Sequence, residues 1–88
     1  MTTTKRLTYH TDSGHGWLEV AIEDIRELKI ANLISGYSYV KGDRAFLEED
    51  CDAFAYMENA KAKGWILNVT AKHTDGDSFV RSLFPWRV

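Results

Sequence analysis

The sequence predicts an α+β domain, a small antiparallel sheet with two helices in the order β-β-α-β-β-α-β. Three observations predict it. Several short runs alternate apolar and polar residues with the period of a strand, and two segments repeat their apolar residues at helical spacing. Glycines and the single proline fall at isolated points between these segments, as turns do. With 88 residues, 44% apolar and 27% charged, the chain has ordinary globular usage and the length of one domain, residues 1–88.

The first strand is "RLTYH", with Leu7 and Tyr9 on one side and Thr8 and His10 on the other. "TDSGHG" turns the chain, its two glycines permitting unusual backbone angles. "WLEV" then alternates with Leu18 and Val20 opposite Trp17 and Glu19, which completes an antiparallel hairpin. Ile22, Ile25 and Leu28 recur at threes among charged residues, the stripe of a short helix. "YSYVKGDRAFLEE" is a second hairpin. Gly42 and Asp43 are its two central residues, and the turn sets Tyr39 opposite Phe46 and Val40 opposite Ala45. "DCDAFAYMENAKAKG" is rich in helix formers, with Ala53, Phe54, Met57 and Ala60 as its apolar face and Gly64 as its stop. "WILNVTAKH" is a fifth strand, with Trp65, Leu67, Val69 and Ala71 on one side. The last segment, 79–88, holds Phe79, Val80, Leu83, Phe84, Trp86 and Val88. It is too apolar to stay in water and is expected to pack on the sheet or on a second copy as a possible homodimer.

No apolar run reaches the roughly 18 residues that span a bilayer, so no membrane partner is expected. The start "MTTTKRLTYH" lacks an apolar signal core, and the single cysteine precludes an internal disulfide, so the expected compartment is cytoplasmic. The net charge of −2 conceals a segregation. Residues 19–58 hold ten acids against Arg26, Lys29, Lys41 and Arg44, whereas residues 59–88 carry five cations against Asp75 and Asp77. Such asymmetry marks a partner surface or cancels when the blocks interleave in the fold.

The densest acidic run is "LEEDCD", with Glu48, Glu49, Asp50 and Asp52 around Cys51. It sits where the fourth strand gives way to the second helix. One acid there caps the helix and others meet the positive end of its dipole, each worth about 0.3–1 kcal/mol. The remaining acids are expected to be solvated and open to a partner. Those same carboxylates disfavour a thiolate at Cys51, which is expected to be buried and unreactive.

"DSGHGWLEV", "YSY" and "LEEDCD" together resemble a group of small uncharacterised proteins of bacteria, prophages and phages that share a D-x-G-H-G-W-L-x-V … Y-S-Y … L-E-E-D-C-D pattern. The likeness spans about residues 9 to 60. It implies a phage or mobile-element setting and no particular reaction.

His10, His15 and His73 with the acids and Cys51 include the ligand types of a metal, but no familiar metal-site spacing is present, so no metal or cofactor is expected. "SGHG" leads into a strand and lacks the pattern of a phosphate cradle. No residue is assigned a catalytic role, and a small metal- or cysteine-dependent enzyme is the weakest reading. The strongest is a protein-binding module that meets a host or phage protein through an acidic patch. Its candidate residues are Glu48, Glu49, Asp50, Asp52, Tyr37, Tyr39, Trp17 and His15. The alternative is a module for single-stranded nucleic acid, with bases stacked on a sheet face bearing His10, Trp17, Tyr37, Tyr39 and Phe46, unless the last segment folds across that face.

Overall fold

The structure is a computed structural model and describes residues 2–87. Strand β1 (Thr4–Thr11) and strand β2 (Gly16–Ala21) lead into helix α1 (Ile22–Glu27) and a 3-10 turn over Ala31–Leu33. Strands β3 (Tyr39–Lys41) and β4 (Arg44–Glu48) precede helix α2 (Asp52–Ala62). Strand β5 (Ile66–His73), a 3-10 turn over Phe79–Ser82 and the two-residue strand β6 (Phe84–Pro85) complete the chain. The α+β class and the order of the first seven elements are those the sequence predicts.

The six strands form one sheet in the order β5-β1-β2-β4-β3-β6. The β3–β4 hairpin pairs Tyr39 with Phe46 and Val40 with Ala45. Gly42, at φ 60°, opens its two-residue turn, and positive φ at the first central position alone is the habit of a type II′ turn. The β1–β2 hairpin sets His10 opposite Trp17 and Tyr9 opposite Leu18.

The sheet is mixed, not wholly antiparallel, because β5 runs parallel to β1, with Leu7 opposite Val69. Helix α2 explains the direction. It carries the chain from the end of β4 back across the sheet, so β5 enters in the same sense as β4, which is also the sense of β1.

Both helices cover one face of the sheet. Leu7, Leu18, Val20, Ala45 and Leu47 meet Ile25, Ile30, Ile34, Ala53, Tyr56 and Ala60 there. The buried stripe of α2 is rotated from the predicted one: Tyr56 is fully buried and Phe54 is 60% exposed. Ala53, Tyr56 and Ala60 recur at the spacing of one helix face, and Phe54 lies a step outside it. The buried Asp24 anchors that phase by accepting from Tyr56 Oη at 3.2 Å and from Lys5 Nζ at 3.0 Å.

The other face carries Trp17 and Phe46, buried with Val80 and flanked by Tyr39 and Leu83. The 3-10 turn at Phe79–Ser82 therefore lies across this face. Beyond it, β6 pairs with β3, and Trp86 is buried in the helix-side core. Val88, which the sequence includes in the apolar tail, lies outside the described residues.

Candidate functional site

The loop between β1 and β2 is organised by Asp12. Its Oδ1 accepts from the backbone N–H of Gly14 and of His15, both at 2.9 Å, which closes a tight turn. Its Oδ2 accepts from Ser78 N at 3.0 Å, and Arg81 grips both oxygens, Nε at 2.6 Å and a terminal nitrogen at 3.0 Å. The Arg81 hydrogen bonds, then that of Ser78, hold the Asp12 carboxyl far below the usual carboxylate range. The same guanidinium lies 5.3 Å from the centre of the Trp17 ring. One side chain thus ties the 3-10 turn to the first loop and roofs Trp17.

The glycines of this loop have a different purpose from the one their sequence implies. The positive-φ glycines are Gly42, Gly64 and Gly76. At Gly14 a Cβ would stand 2.9 Å from Arg81, and at Gly16 it would overlap the Tyr9 ring and hydroxyl. Gly16 is therefore needed for close approach and not for backbone angle, whereas a Cβ at Gly14 would require only the tip of the Arg81 side chain to shift.

At the corner between β4 and α2 the four acids separate. Glu48 folds back to accept from the backbone N–H of Asp50 at 2.9 Å, Cys51 at 2.6 Å and Asp52 at 3.0 Å. The last two are among the donors that a helix start leaves open. Burial alone would raise the Glu48 pKa, but these three bonds outweigh that and lower it. Asp52 was expected to cap or to be solvated, and it does neither. It is 1% exposed, and its Oδ2 accepts from Ser35 N at 2.9 Å, Ser35 Oγ at 2.7 Å and Ser38 Oγ at 2.5 Å. Cys51, expected to be buried, is exposed, because it stands at the cap position and the first inward-facing place of the helix belongs to Asp52.

Glu49 turns toward the first hairpin. Its Oε2 accepts from Tyr9 Oη at 3.1 Å, and its Oε1 lies 3.6 Å from His15 Nδ1. Burial, then this bond, pushes the Tyr9 phenol up to about 12. Asp50 is exposed. Across from the corner, Tyr37 is 80% exposed and Tyr39 packs edge-on to Trp17 at 6.3 Å between ring centres.

These groups enclose an open cleft of about 340 Å³ lined by His15, Trp17, Tyr37, Tyr39, Glu48, Glu49, Asp50 and Arg81, with Gly16 in its wall. Seven of the eight residues singled out in the sequence therefore share one cleft, and Asp52, buried on Ser35 and Ser38, does not line it. Trp17, expected to present its ring to a partner, lines the cleft but is only 4% exposed. Arg81 carried no local sequence signal, since its partner Asp12 is 69 positions away. Ser35 and Ser38 were missed as well, being polar residues in an irregular stretch.

The sheet face offered to nucleic-acid bases in the sequence reading is not open, because Trp17, Phe46 and Val80 are buried together. Among the described residues, no group of three or more His, Cys, Asp or Glu is placed to hold a metal ion. Among them, no helix is long and apolar enough to cross a membrane. No protein-family model matches the chain, and neither the curated proteins nor the solved structures contain a significant match.

Proposed function

We propose that the protein is a non-catalytic binding module that receives a lysine or arginine side chain of a protein partner in this cleft. The observation that carries the reading is the meeting of the exposed Tyr37 ring with the Glu49 and Asp50 carboxylates around one opening. A ring face and a carboxylate on either side of a gap are what an incoming cation needs. The cation that lines the cleft, Arg81, is neutralised by Asp12, so it does not compete for those acids. An acidic opening repels phosphate, which favours a basic protein segment over nucleic acid. The resemblance to phage and prophage proteins supplies a setting in which a small module acts by occupying another protein's basic surface.

Titration with a lysine- and arginine-rich peptide, followed by tryptophan fluorescence and calorimetry, tests the reading. Binding should weaken as salt is added. Tyr37→Ala and Asp50→Asn should each lower affinity about 2- to 5-fold, the scale of an exposed cation–π contact or charge pair. Equal affinity for an acidic peptide, or preference for a single-stranded oligonucleotide, would rule it out.

A further inference from the structure

The two edges of the sheet are built differently. At one edge, β6 is two residues long and contains Pro85, which blunts it against further pairing. At the other, β5 runs for eight residues with one side bonded to β1 and the other free. Its sequence, "ILNVTAKH", has no proline, its register against β1 is unbroken over all eight residues, and Lys72 is its one lysine. Seven of the eight residues are exposed, Ile66 by 50% and Val69 by 45%.

The direction of the free backbone groups follows from the ladder. Ile66 N–H donates to Thr3 O at 2.8 Å and Thr74 N–H to Thr11 O at 2.9 Å. With a period of two, the even-numbered residues bond to β1, and Leu67, Val69, Ala71 and His73 point their N–H and C=O groups outward. We propose that two copies of this chain join through these edges in an antiparallel pair about a two-fold axis at Thr70, forming one continuous sheet.

The register is dictated by the outward set. An antiparallel two-fold pair keeps side-chain faces in common, so odd residues must oppose odd ones. Centring on Thr70 sets Val69 opposite Ala71 and Leu67 opposite His73, which uses every outward group of both strands. Thr70 then faces its own copy, and Lys72 meets Asn68 in place of another cation. Charge agrees with the antiparallel sense. The chain entering β5 carries the exposed Lys61 and Lys63, and the chain leaving it carries Asp75 and Asp77 with side chains 103% and 88% exposed. Antiparallel pairing brings each basic end to the partner's acidic end, whereas parallel pairing would set like charges together. The surface is separate from the cleft, so the dimer and the binding reading stand or fall independently.

Sedimentation equilibrium of the full chain over micromolar to millimolar concentration should show a dimer. Thr70→Lys, which sets two ammonium groups against each other at the axis, should return the mass to the monomer with unchanged circular dichroism. Ala71→Pro should act likewise, since it removes only an outward donor. In a Cys51→Ser background, Thr70→Cys should oxidise to a covalent dimer, because the opposed Cα atoms of a non-hydrogen-bonded pair lie about 4.5 Å apart. Val69→Cys, opposite Ala71, should not. A monomer at every concentration, a dimer that survives both Thr70→Lys and Ala71→Pro, or cross-linking equally efficient at position 69 would overturn the proposal, as would a lone monomer that pairs only with a foreign strand.

Discussion

Asp50 and Asp52 stand two positions apart and have opposite surroundings. Asp52 takes three hydrogen bonds in a buried place, so Asp52→Ala leaves three donors of Ser35 and Ser38 without that acceptor. A loss of about 2–4 kcal/mol is expected by chemical denaturation. Asp50→Ala should stay within about 0.5 kcal/mol. A similar pairing of cause and cost holds at Gly16, where a methyl group must displace the Tyr9 ring. Gly16→Ala should cost about 1–3 kcal/mol. It should also return the Tyr9 phenol from about 12 toward its ordinary 10.0, which ultraviolet titration of tyrosinate would read.

Among the elements, legibility in the sequence followed the range of the interaction. The β3–β4 register could be read because Gly42 and Asp43 set it within a few residues. The burial of Tyr56 in place of Phe54 could not, since it depends on Asp24, 32 positions away. Nor could the parallel pairing of β5, whose neighbour β1 is distant in the chain. Helix α1 ends on a local strain that composition does not advertise: Lys29 holds φ at 59°, a left-handed conformation that glycine adopts without penalty. Lys29→Gly should therefore stabilise the protein by about 0.5–1 kcal/mol in thermal melts. On the opposite face, Val80 seals Trp17 and Phe46 from water. Val80→Ala should cost about 2 kcal/mol and shift tryptophan emission to the red as solvent reaches the indole.

For the whole molecule, the charge networks set the pH range of stability. Arg81 and Ser78 lower the pKa of Asp12. At Glu19 burial acts upward, and the hydrogen bonds of His10 and Arg44 outweigh it; at Glu48 three backbone donors do the same. A folded pKa below the unfolded one contributes stability that is complete above the ordinary values of 3.8 and 4.5 and is lost as pH falls through the folded values. The phenols act in the other direction. Burial and Glu49 raise Tyr9 to about 12, and burial with Asp24 raises Tyr56, so their contribution is complete below 10.0 and lost as pH climbs past it. Melting temperature should thus hold through neutrality, fall below about pH 4 and fall again above pH 10; a rise on acidification to pH 3 would contradict the assignment.

The candidate cleft was legible at the same scale, and only in part. Two sequence stretches, "GHGW" and "LEED", meet because β2 pairs with β4, setting Trp17 opposite Glu48. The clamp that completes the cleft was hidden, because Asp12 and Arg81 lie 69 positions apart. That separation also orders events during synthesis. The acids and aromatics of the cleft are translated early, yet Trp17 has no roof and the first loop no anchor until residue 81 has left the ribosome. A nascent chain therefore displays the acids and aromatics of the proposed binding cleft before that cleft is complete, and completion comes in one step, once residue 81 has emerged. A protease cut between His73 and Ser78 would undo that step once its two ends parted, dismantling the cleft without touching a residue that lines it.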